Sequence, residues 1–123
     1  MERLWVGFGA IAGMTMVGMA AYAAHGLQGV APSVLTGVNS AIEMQGIHAL
    51  ALVFTGLWAR RAGVLAHLAG VAFLAGIVMF CGTIYQPIAP AWLRGLHVPM
   101  LAPAGGMSLI AGWAFLWLSA LRR

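Results

Sequence analysis

Few side chains in this 123-residue chain can move a proton or hold a ligand: four histidines, two glutamates and one cysteine, beside a handful of amides and phenols. Three of them crowd into one stretch, Glu43-Met44-Gln45-Gly46-Ile47-His48. On a helix, Gln45 and His48 share a face. Glu43 and His48 are five residues apart, about 140° around the helix, so they do not bind one metal together. His25 and His48 come from different segments. If those segments are adjacent and antiparallel, the two imidazoles can coordinate haem or copper. They are the metal candidates, and the identity of any cofactor is left open. The plainer reading of His48 is a neutral imidazole bonded to its neighbours. Tyr85 reads as an interface anchor. Met14, Met16, Met19 and Met44 offer thioethers to copper, yet methionine is also ordinary core filling. Cys81 is alone, which excludes a disulfide within the chain. No hydrolase triad, HExxH motif, phosphate-binding loop or dinucleotide fingerprint occurs, and no catalysis is expected.

The elements that must position these groups are apolar. The chain is 63% hydrophobic and 7% charged, against roughly 25% charged residues in soluble domains. Residues 4–24, 41–59, 62–86 and 98–121 form runs of the length a bilayer span needs, about 20 residues. The fold class is therefore all-α: an integral membrane four-helix bundle forming one transmembrane domain over residues 1–123. The formal net charge of +4 comes from arginines spread over the segment ends. A nucleic-acid site needs a basic face, so no nucleic-acid partner is expected. The partner implied is the lipid bilayer.

Arg3, Arg60, Arg61, Arg122 and Arg123 fall on one side of a four-span chain, and Arg94 on the other. The positive-inside rule then places both termini in the cytoplasm of a bacterial inner membrane. Arg3, the first apolar run and Ala21-Tyr22-Ala23 loosely resemble a cleavable leader. The run exceeds the 7–15 residues of a leader core, so it is read as a retained first span. Gly9 and Gly13 form a GxxxG, which allows close helix approach. Residues 25–40 read as a loop with a short helical piece after Pro32. Ser40 and Glu43 have capping-box spacing, so the second helix is expected to start there. Pro103, Gly105 and Gly106 predict a break or late start in the fourth helix. His25, Glu43, Gln45, His48, Tyr85 and His97 all fall in the non-cytoplasmic half, as a polar cluster.

Four blocks resemble a family of small bacterial inner-membrane proteins classed as a domain of unknown function, 423, which includes the YgdD-like proteins. The eukaryotic transmembrane protein 256 group is a more distant likeness. The blocks are Ala20-Ala21-Tyr22-Ala23-Ala24-His25, Glu43-Met44-Gln45-Gly46-Ile47-His48, Phe80-Cys81-Gly82-Thr83-Ile84-Tyr85, and Ala102-Pro103-Ala104-Gly105-Gly106 with Gly112-Trp113. They are similar to the family's Ala-His, Glu-Tyr-Gln-x-x-His, Phe-Ser-Gly-Ser-x-Tyr and Thr-Pro-x-Gly-Gly patterns. Met44, Cys81 and Ala102 each stand where the family carries a hydroxyl. The resemblance implies four helices and brings no activity with it.

Three functions compete. The first is a non-catalytic accessory or assembly subunit packing against a larger membrane complex. The second is a haem, copper or quinone module using His25 and His48. The third is a small channel or carrier acting as a homo-oligomer, for which Pro103–Gly106 would be the broken segment.

Overall fold

The computed structural model describes residues 1–95 and 98–122, so His97 and Arg123 lie outside the described residues. Four helices follow one another: α1 (Glu2–His25), α2 (Pro32–Ala62), α3 (Val64–Tyr85) and α4 (Leu101–Leu121). A 3₁₀ turn, Gln86–Ile88, extends α3. No strand occurs among the described residues. All four helices are long and apolar enough to cross a membrane. A helix pairs its backbone groups within one segment, which suits lipid because lipid offers no hydrogen-bond partner to a bare backbone.

Two helix boundaries differ from the expectation. α2 begins at Pro32, not at Ser40, and runs for 31 residues. Proline suits the first helical position, where its missing N–H is no loss. Residues 33–40 then stay helical because they find packing partners: Val38 is fully buried and Gly37 faces Ile84. Ser40 and Glu43 therefore lie inside the helix and form no capping box. The second correction concerns Pro103, Gly105 and Gly106. α4 starts at Leu101 and runs through all three without interruption. Pro103 sits in the first turn, where backbone N–H groups are unpaired anyway. The glycines serve packing: a Cβ on Gly105 would strike the backbone of Phe80.

α2 and α3 are joined by Gly63 alone, which adopts φ +60°. That backbone region strains any side chain but costs glycine little. The two helices form the centre of the bundle. α1 packs on α2, and α4 packs on α3. Glycine lets the outer helices come close: Gly9 meets the Ala49 carbonyl, and Gly56 meets the Glu2 carbonyl. Gly13, the other half of the GxxxG, faces open space. Val38, Leu52, Thr55 and Phe73 are the largest fully buried side chains.

Arg3, Arg60, Arg61 and Arg122 gather at one end of the bundle, hereafter the arginine end. There Arg60 pairs with Glu2 at 3.3 Å. The loop carrying Arg94 lies at the far end.

Candidate functional site

Of the buried polar side chains, Gln45, His48 and Ser119 tie helices to one another, while Thr55 bonds to the Ala51 carbonyl of its own helix. Gln45, on α2, is buried. Its Nε2 donates to the Ala12 carbonyl at 2.9 Å and to Thr15 Oγ1 at 2.8 Å, both on α1. Its Oε1 accepts from the Tyr85 hydroxyl of α3 at 2.8 Å. One amide thus joins three helices, with donors and acceptor all used. Its orientation is fixed by the Ala12 carbonyl, which can only accept and so must face the amide N–H2, leaving Oε1 for the Tyr85 hydroxyl.

His48 lies one turn further along the same face. Its Nδ1 is 2.7 Å from the Met44 carbonyl. The Trp113 indole N–H donates to its Nε2 at 3.0 Å. A carbonyl only accepts and an indole N–H only donates. The ring is therefore the Nδ1–H tautomer, linking α2 to α4. Phe73 packs beside it, with ring centroids 5.7 Å apart, and also against Trp113 at 5.2 Å. With both nitrogens engaged, His48 has no lone pair to give haem or copper.

The same device recurs at the arginine end. Trp5 Nε1, on α1, donates to His67 Nδ1, on α3, at 2.9 Å, and the Trp5 ring covers Gly70. Trp58 Nε1 donates to Ser119 Oγ at 3.1 Å, a second α2–α4 link. Ser108 donates to the Ala72 carbonyl at 2.8 Å, joining α4 to α3. The Cys81 thiol donates to the Ala41 carbonyl at 3.4 Å, doing what a serine hydroxyl would do there.

The expected cluster is thus only partly assembled. Gln45 and Tyr85 meet directly, and His48 adjoins Gln45 on α2. His25 is exposed at the end of α1. Met16 packs at the level of Gly46, so His25 stands about 16 Å along the helices from His48. The structure does not bring the two metal candidates together. Among the described residues, no group of three or more His, Cys, Asp or Glu side chains is placed to hold a metal ion. Glu43 is exposed on the outward face of α2, beside exposed Asn39 and Ser40. Glu43 therefore stands apart from the buried Gln45 and His48 with which the sequence grouped it. Sequence reasoning missed Trp5, Trp58, Trp113, Thr15 and Ser119. The signal was available: an indole N–H within lipid needs an acceptor, and the chain holds few.

Outside these links lie apolar grooves. One of about 470 Å³ runs between α2 and α4, past Met44, His48, Phe80, Met107 and Trp113. Another of about 330 Å³ continues beyond Trp113 along Phe54, Trp58 and Trp117.

Fold and polar links together define an integral membrane protein of four apolar helices, held together by side-chain hydrogen bonds between helices. More particularly, the chain belongs to the family described as "Protein of unknown function (DUF423)", whose family model matches residues 19–106. Among its relatives is a UPF0382 membrane protein of Staphylococcus haemolyticus, 31% identical over 121 residues, covering 98% of this chain and 97% of that one. The UPF0382 inner membrane protein YgdD of Escherichia coli K12 is 31% identical over 123 residues, covering 98% and 92%. A UPF0382 membrane protein of Haemophilus influenzae is 29% identical over 114 residues, covering 92% and 90%. No solved structure matches the chain.

Proposed function

We propose that this protein is a non-catalytic accessory subunit of a bacterial inner membrane, docked against a larger membrane complex through the outward face of α2. One observation carries the reading. Glu43 presents a carboxylate on that face with no hydrogen bond or ion pair among the described residues. It lies seventeen residues from Arg60 along α2, about 25 Å into a hydrocarbon core about 30 Å thick. An ionisable group facing lipid is costly unless something pairs with it. Below it, Ile47, Leu50, Phe54 and Leu57 continue the exposed face as an apolar stripe. A transmembrane helix with a cationic side chain about one turn inside the far surface fits this pattern. The polar interior supports a non-catalytic role, because Gln45 and His48 are consumed in helix-to-helix bonds.

Both termini are assigned to the cytoplasm on the arginine asymmetry, and the protein to the inner membrane on its likeness to the E. coli inner membrane protein YgdD. Membrane-impermeant thiol labelling of a Cys81→Ser, Ala91→Cys chain should proceed from the periplasmic side. Labelling only after permeabilisation would reverse the topology.

The docking test places a photocrosslinking residue at Leu50 in native membranes. The expected product is a heteromeric adduct that Glu43→Lys abolishes, and that a reversed charge on the identified partner restores. Adducts to lipid or to this chain alone would overturn the accessory reading.

A further inference from the structure

A cleft of about 540 Å³ opens between the far ends of α1 and α3. Met19 and Tyr22 of α1, Tyr85 of α3, and Ile88, Pro90 and Arg94 of the following loop line it. The walls are apolar and aromatic except at the rim, where the Arg94 guanidinium sits.

Arg94 is held in place by its own loop. Its Nε donates to the Ala89 carbonyl at 2.8 Å. Its own carbonyl accepts from Gln86 Nε2 at 3.1 Å. The residue is thereby anchored once through its side chain and once through its backbone. A guanidinium carries five N–H donors in a fork, and only the Nε–H is used among the described residues. The other four are free to take an anion. Neither glutamate supplies that anion. Glu2 is bound to Arg60 at the other end of the bundle. Glu43 makes no ion pair among the described residues and projects from the outward face of α2.

From this we infer that the Arg94 cleft is a seat for a glycerophospholipid, whose phosphodiester takes the guanidinium fork and whose glycerol and first acyl carbons lie against Met19, Tyr22 and Ile88. A phosphate presents two anionic oxygens at the spacing the fork reads. The cleft lies between the far ends of α1 and α3, both long and apolar enough to cross a membrane, and the ends of such helices meet the headgroup layer. Its apolar walls would gain nothing from an inorganic ion but would shed water onto an acyl chain. This inference is independent of any role as an accessory subunit.

Native mass spectrometry of the full chain, delipidated in mild detergent, tests it. Dioleoyl-phosphatidylglycerol, dioleoylglycerol and inorganic phosphate are each titrated. Wild type should retain one phosphatidylglycerol per chain and no dioleoylglycerol. Arg94→Gln should bind the phospholipid about tenfold more weakly or worse, the loss of one charge-assisted contact. Met19→Trp keeps the guanidinium and fills the cleft, so it should lose the lipid too. It carries the test alone if circular dichroism shows Arg94→Gln misfolded. Competition by millimolar inorganic phosphate would assign the seat to a free anion and overturn the lipid. Equal phospholipid retention by wild type and both variants would overturn the site.

Discussion

Replacing Gln45 by leucine removes the side chain that joins α1, α2 and α3 while keeping the volume similar. Three hydrogen bonds disappear, to the Ala12 carbonyl, Thr15 and Tyr85. Thr15 retains its bonds to the Ile11 and Ala12 carbonyls. The Tyr85 hydroxyl loses its partner outright. Inter-helix hydrogen bonds in membranes average about 0.6 kcal/mol each, so Gln45→Leu should cost about 2 kcal/mol. Tyr85→Phe removes one bond and should cost about 0.6 kcal/mol on the same scale. In the Gln45→Leu background the Tyr85 hydroxyl is already orphaned, so removing it should cost nothing. The assay is reversible unfolding in mixed detergent, followed by tryptophan fluorescence, on wild type, both single variants and the double variant. Such a cycle isolates the pairwise term. Two results would refute the reasoning: an undiminished stability in Gln45→Leu, or strictly additive losses in the double variant. Either would mean that the bonds do not hold the helices, and that Gln45 is kept for something else.

Three further outcomes are expected. His48→Ala should lower stability by about 2–3 kcal/mol, because it leaves the Trp113 N–H unpaired and a void beside Phe73. Absorption and metal analysis of gently purified wild type should show no Soret band and no stoichiometric metal. A band or metal that vanishes in His48→Ala would instead make this a cofactor site. Gly105→Ala should disturb the seating of α4 on α3, since its Cβ meets the Phe80 backbone, whereas a Cβ at Gly13 meets nothing within 4 Å and Gly13→Ala should leave stability within about 0.5 kcal/mol of wild type. Cysteine crosslinking between α3 and α4, compared in the two variants, separates these outcomes.

The sequence by itself determined the four spans, because apolar length is a local property that needs no knowledge of neighbours. It also placed the arginines at the segment ends and singled out Gln45, His48 and Tyr85 as polar groups that must find partners. It misjudged the start of α2. Polar residues 33–40 looked like loop, yet packing of Val38 and Gly37 keeps them helical. It also misjudged Pro103, whose effect depends on its place in the helix: in the first turn it breaks no bond. Orientation was the part that only the tertiary structure decided. In water, an apolar stripe betrays the buried face of a helix. In a bilayer, core and surroundings are both apolar, so no stripe marks which side turns inward. For this reason Glu43 could be read as a cap or as part of the polar cluster, and only packing against α1 and α3 turns it outward. The tryptophan partners of His48 and His67 were hidden likewise. Trp113 and His48 are 65 residues apart, and Trp5 and His67 are 62. Pairings that distant exist only once the helices are laid side by side.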